Sequence, residues 1–467
     1  MKLLPMVDDN RRSNAVTKEV IMKTISKAQL FVLSLLLLLT CGMARTAPAQ
    51  EQNDAQAPAD CTQGPNFGNT VPLWAYKIKA TRGDKGMYEG VIVGTCPFDK
   101  DGKTKKTSIK TFRVWVKVTI QGKDGPVVFD PTTPNPCLKD GDGKTHSVLE
   151  VAGLSPIFQS FGKNDGSGNG YNNLGDDDVL QGGDGKQIKL QYADFFQRAN
   201  FWTVVNEGGI KGGKSSYQTV LSPVDDIIVN APAVPGQSAV TNGPCGPAGW
   251  IEYSAWESMR NTIYTNDLKK EGVTAAAFPI FLLDSVQVCF EPFNPPENCI
   301  PGYHSAVDDG AGNKQTFAFA DFDNSGLITG DSGDVNTLSH EVGEWMDDPI
   351  VDGWDIKGIQ GGNPTPKWGD GIGQVKKGEC QANLEVGDPL SQAPPKLNPW
   401  TIKITQPFNY SYHMQELAYF SWFFGKPSVG AGGNGERAAV KWFSNKGTFT
   451  DAAPELKIAE CKPSIGP

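Results

Sequence analysis

The chain has 467 residues, a formal net charge of -9 from 52 acidic and 43 basic side chains, 39% hydrophobic residues and only four histidines. An acidic chain of this kind lacks the basic footprint that a phosphate backbone requires, so nucleic acid is excluded as the expected partner and cations are favoured. The length suffices for one large domain with long loops or for two domains.

Lys23 and Lys27 precede an apolar run from Leu30 to Leu39, and Ala47-Pro48-Ala49 supplies a small-x-small cleavage site before Gln50. The pattern predicts a leader and signal peptide over 1–49, with Met22 as an alternative start, and a secreted or periplasmic (extracytoplasmic) location. Cys41 follows Leu38-Leu39-Thr40, whereas a lipoprotein box prefers a small residue just before its cysteine, so cleavage is expected rather than a lipid anchor. Residues 50–60, within an Ala, Gln and Pro rich stretch, read as a disordered linker. No second long apolar run follows, and no membrane partner is expected after the signal is removed. The remaining cysteines, Cys61, Cys96, Cys137, Cys245, Cys289, Cys299, Cys380 and Cys461, form an even set in an exported chain. Disulfides are the default for such a set, with Cys289 and Cys299 a plausible local pair.

Residues 61–150 read as a β-rich N-terminal region, with strands over Leu73–Ala80, Tyr88–Thr95 and Thr111–Ile120. The remainder, 151–467, is expected to form an α+β domain. It opens with a Gly, Asp and Asn loop over 163–186, in which Asp176-Asp177-Asp178 offers oxygens to calcium or simply solvates the loop. Aromatic residues at helical spacing over Tyr192–Trp202 point to a core helix, and Trp250–Asn266 reads as another. Phe278–Phe290 and Gln315–Phe322 read as buried strands.

The run Leu338-Ser339-His340-Glu341-Val342-Gly343-Glu344-Trp345-Met346-Asp347-Asp348-Pro349 carries the chemistry. Ser332 or Asp334 is placed to cap a helix, Val335, Leu338, Val342, Trp345 and Met346 form its apolar stripe, and Pro349 stops it. On that helix His340 and Glu344 share a polar face with Thr337, Glu341 and Asp348, opposite the stripe. This HExxE spacing makes His340 and Glu344 metal ligands and Glu341 the general base that polarises water. The bland counterpart is a solvated acidic face on which His340 pairs with Glu341 or Glu344.

A tetrahedral zinc site needs a third protein ligand. The candidates are His304, the acidic pair Glu385 and Asp388, and His413, with Tyr303 or His413 as alternative oxyanion partners. One imidazole with two carboxylates accepts Mn²⁺ or Ca²⁺ as well as Zn²⁺, whereas a second imidazole favours zinc. Asp321, Asp323 and Ser325 lie at the first, third and fifth positions of an EF-hand-like loop with Gly326 at the sixth, but Ser332 stands where its bidentate glutamate should be. Calcium there competes with a plain tight turn. Six of the eleven tryptophans, Trp345, Trp354, Trp368, Trp400, Trp422 and Trp442, fall beyond residue 340, where they serve packing or a polysaccharide surface.

The helix resembles that of a zincin metallopeptidase with glutamate in place of the second histidine. The ordered set Gly302-Tyr303-His304, Ser339-His340-Glu341 to Glu344 with Asp348-Pro349, and Leu384-Glu385-Val386-Gly387-Asp388 is similar to the secreted phosphate-induced, or EXORDIUM-like, family of plant cell-wall proteins. The likeness covers three short motifs over about 90 residues. The chain departs from that family in having Pro389 after Asp388 and Cys380 before the acidic segment. The resemblances imply secretion, a zincin-like α+β core of sheet plus HExxE helix, and a metal site that includes His304 and Asp388. The expected function is a zinc-dependent hydrolase acting on peptide or protein substrates. The alternative is a wall- or glycan-associated binding protein with a structural metal.

Overall fold

Lys106–Gly122 is the longest strand among the described residues and the middle of a six-stranded mixed sheet. The computed structural model describes residues 62–63, 68–97, 106–160, 191–201, 217–327, 334–351, 355–356, 359–360, 362–369, 380–388, 400–404, 407–415 and 420–425. The leader, the 50–60 linker, the 163–186 loop, Cys61, Cys461, Ser332, Trp354, Pro389 and Trp442 lie outside them.

The sheet runs in the spatial order Gly302–Asp308, Lys314–Phe322, Phe278–Asp284, Lys106–Gly122, Gly125–Phe129, with Gln218–Pro232 also paired to Lys106–Gly122. The inner pairings are parallel and the two ends of the path antiparallel. Inner strands of a parallel sheet are covered on both faces, and the side chains obey the two-residue period. Phe281, Leu283, Phe317 and Phe319 enter one core with Phe112, Val114 and Trp256 of the Tyr253–Ile263 helix. Phe278, Ile280, Leu282, Ala318 and Ala320 enter the other with Val335, Leu338, Val342, Trp345 and Met346. The predicted apolar stripe of the HExxE helix, Asn336–Asp347, therefore packs on the sheet, where Trp345 stacks on Phe278 at 3.6 Å between ring centroids. The arrangement is α+β.

Several predicted boundaries shift for local reasons. Trp250 opens no helix: Pro247–Glu252 is a strand, and the helix starts at Tyr253 because the Glu252 carboxylate accepts from the Ser254 and Ala255 amides. The apolar run over Phe278–Phe290 is two strands, Phe278–Asp284 and Val286–Asn294, broken at Ser285 with φ 57°. The second belongs to a separate four-stranded sheet with Glu297–Ile300, Pro247–Glu252 and Ser238–Asn242. Residue 150 marks no division of the core either, because Lys106–Gly122 pairs with strands from the middle of the chain; the described residues all belong to one compact unit.

Cys289 and Cys299 are bonded, as expected, across adjacent antiparallel strands, and Cys137 is bonded to Cys245. Such bonds point to maturation in an oxidising, extracytoplasmic compartment. Among the described residues no helix is long and apolar enough to cross a membrane.

Candidate metal centre

The polar face of the HExxE helix is neither an open cleft floor nor a solvated surface. Every residue from Asn336 to Asp347 is buried, because the Gly302–Asp308 edge strand and the Leu384–Asp388 segment close over the side opposite the stripe. Close approach is secured by two glycines. A Cβ on Gly302 would lie 2.7 Å from Glu341 Oε1, and one on Gly387 would lie 2.4 Å from His340 Nδ1.

Alternation along the edge strand places His304 toward the helix and Tyr303 away from it. His304 Nε2 donates to the Asp348 carbonyl oxygen at 2.9 Å. Its Nδ1 faces Glu341 Oε2 at 3.3 Å and Glu344 Oε2 at 3.6 Å. His340 Nε2 lies 3.1 Å from Glu344 Oε2 and 3.6 Å from Asp388 Oδ1. Glu344 Oε1 is occupied separately, accepting from the Gly387 and Asp388 amides at 2.9 and 3.1 Å. Glu385 Oε2 approaches His304 Nε2 at 3.8 Å.

Two groups of donor atoms thus converge, His304 with Glu341 and Glu344, and His340 with Glu344 and Asp388; buried groups so arranged can hold a metal ion. The donor set fits one: ligand bonds of about 2.0–2.2 Å place tetrahedral donor atoms roughly 3.3–3.6 Å apart, close to the 3.1–3.6 Å between each imidazole and its two carboxylates.

Electrostatics reinforce the reading. Burial alone would push Glu344 up, but the charges of His340 and His304 with the hydrogen bonds from His340 and the Gly387 amide together outweigh it and hold Glu344 below the usual glutamate range. Burial raises Glu341 against the pull of the His304 hydrogen bond. It raises Asp388 with help from the Glu344 charge, and Glu385 strongly, again with Glu344 and then Asp348 adding to it. Burial works the other way on the imidazoles, yet the Glu341 hydrogen bond on His304 and the Glu344 charge on His340 keep both above the ordinary histidine value. A dense set of carboxylates held this way attracts either protons or a cation.

Not every residue singled out by sequence joins the centre. Tyr303 instead accepts from Trp256 Nε1 at 2.8 Å and donates to Glu257, on the opposite face of the sheet. His413 is held by Asp334, whose Oδ2 accepts from the His413 amide and lies 2.8 Å from its Nδ1. Asp334 therefore does not cap the helix, whose N-cap Val335 has no side-chain bond. Asp321 accepts from the Val286 amide and Asp323 from Ser325, each through Oδ1, and neither carboxylate belongs to a converging donor group among the described residues. Asn363 is an unforeseen support: its amide donates to the Asp348 carboxylate and its side chain to the Asp347 and Val91 carbonyls. Only the Gly362-Asn363 pair hinted at a turn there. Trp345, Trp368 and Trp422 are buried in packing, and none is a sugar platform.

Compared with known proteins, the chain matches no family model, no curated protein and no solved structure. The two resemblances rest on the motifs quoted above.

Proposed function

We propose that the chain is a secreted metal-dependent hydrolase, a zinc peptidase of zincin-like type. The observation that carries this is the convergence of His340 Nε2, Glu344 Oε2 and Asp388 Oδ1 with Glu341 one residue from a ligand. Zn²⁺ is the ion of choice, although one imidazole with two carboxylates also admits Mn²⁺ or Ca²⁺. When bound, such an ion supplies a Lewis acid that polarises a peptide carbonyl and acidifies water. Glu341 then takes the proton at its carboxylate, and burial, by raising its proton affinity, suits it to return that proton to the leaving amine. His304 orients Glu341 through the 3.3 Å contact. Metal analysis of the purified mature chain tests the centre: bound zinc that is lost in His340→Ala is expected, and an unchanged metal content refutes it. Glu341→Gln should keep the metal and abolish cleavage of a peptide library; retained turnover removes Glu341 as base.

One observation favours a second reading. Glu341 is only 4% exposed and Glu344 3%, which suits an ion that staples the fold of a wall- or glycan-associated binding protein. That reading predicts a fall in Tm on chelation, no peptide cleavage, and glycan binding that survives Glu341→Gln.

A further inference from the structure

We infer that the centre has two cation positions that share Glu344, one between His340, Glu344 and Asp388 and a second between His304, Glu341 and Glu344. The inference rests on the reading of the centre as a metal site, and not on hydrolysis.

Three observations carry it. The first is geometric. No converging group contains both histidines; the two triads meet only at Glu344. A single ion reaching both imidazoles therefore has no matching set of donors, whereas each histidine has two carboxylate oxygens at or near the separation of tetrahedral ligands, 3.1 and 3.6 Å from His340 and 3.3 and 3.6 Å from His304, within triads whose donors all lie inside 4.8 Å. Glu344 is built to be shared, since the Gly387 and Asp388 amides hold Oε1 while Oε2 faces both rings.

The second is the tautomer of His304. The Asp348 carbonyl can only accept, so the hydrogen of a neutral ring sits on Nε2 and a lone pair sits on Nδ1. On a neutral ring that nitrogen faces two carboxylate oxygens, so either a second ring proton or a cation must lie between them. An imidazole that donates through one nitrogen to a backbone carbonyl and offers the other to an ion is the usual support of a metal ligand.

The third is charge. Glu341, Glu344, Glu385 and Asp388 are all buried in one centre. With neutral imidazoles and these four carboxylates ionised, one divalent ion offsets two of their charges and a second offsets the other two, before the buried Asp348 is counted. Among the described residues Glu385 Oε2 lies 3.8 Å from His304 Nε2.

Two ions sharing one oxygen at ordinary bond lengths lie within about 4 Å of each other, the separation of paired hydrolytic metal sites. Each triad has one nitrogen and two oxygens, so both positions suit a borderline or hard divalent ion such as Zn²⁺ or Mn²⁺. Filling the second position turns Glu341 from a base into a ligand, and excess metal should then inhibit a singly loaded hydrolase.

The test is ion stoichiometry in the full mature chain equilibrated with Zn²⁺ and, separately, with Mn²⁺. Two ions per chain are expected in the wild type and one in His304→Gln, with unchanged far-UV circular dichroism. Because the variant itself can fail to fold, electron paramagnetic resonance of the Mn²⁺-loaded wild type gives a second readout: a spin-coupled pair is expected. One ion per chain in the wild type, with the spectrum of isolated Mn²⁺, overturns the second position while leaving the metal centre and the hydrolase reading intact. No bound ion under either condition overturns both.

Discussion

Asp284 ends an inner strand of the main sheet with its side chain buried, and its neutralisation gives a prediction that can be worked through. Burial, opposed by hydrogen bonds from Asn324 and Ser285 and aided by the charges of Asp323 and Asp130, lifts its pKa from 3.8 to about 6. A carboxyl group whose pKa is raised on folding binds more protons in the native than in the unfolded chain between those values, so stability falls as pH rises through that window. Two units correspond to about 3 kcal/mol lost once both states are ionised near pH 7.5, and to under about 1 kcal/mol at pH 4. Asp284→Asn keeps an oxygen to accept from Asn324 Nδ2 and Ser285 Oγ, which now lie at 3.1 and 3.0 Å from Oδ1. Any change in those bonds is independent of pH, so the quantity to read is the difference in stabilisation between the two conditions. Urea unfolding should show the variant gaining about 2 kcal/mol more at pH 7.5 than at pH 4. Equal effects at both values would refute the reasoning. A gain in wild-type stability on adding calcium, lost in the variant, would reverse the sign and return the Asp321 and Asp323 region to the role its sequence suggested.

Gly387→Ala places a Cβ 2.4 Å from His340 Nδ1 and must displace either the ring or the segment that holds Glu344; zinc affinity measured by competition with a chelator should fall roughly 10–100-fold. Trp345→Ala removes the ring stacked on Phe278 and should cost about 3–5 kcal/mol in chemical denaturation. A cost under about 1 kcal/mol would mean that the helix is held by its polar face instead. Breaking Cys137–Cys245, which are 108 residues apart, by Cys137→Ala with Cys245→Ala should cost about 3–5 kcal/mol on the chain-entropy account, read from the urea midpoint.

Local pattern was enough to read the HExxE helix, its stripe and its stop, because a 3.6-residue period and a proline are properties of the segment alone. The same holds for Leu73–Lys79, Met87–Val93 and Lys314–Phe322, each found within two residues of its predicted place. Pattern failed where a single residue changed the course of the chain. Ser285 looks like any polar residue in an apolar run, yet its positive φ sends the chain into a second sheet. It failed again in assigning Tyr303 and His413 to the site, since adjacent residues of a strand face opposite ways and His413 is held by Asp334.

The sequence by itself determined the donor types and their spacing on one helix: an imidazole, a neighbouring glutamate and a second glutamate one turn on. Helical geometry requires that spacing to face one way, whatever the rest of the chain does. Only the tertiary structure decided what that face meets. It brought His304 from an edge strand and Asp388 from a downstream segment within 3.6 Å of the helix donors, gave Glu344 two imidazoles to face, and closed the centre from water. Such contacts join residues dozens of positions apart, and they depend on strand register, on sheet order and on two glycines that leave room for close approach. None of these leaves a periodic mark in the sequence.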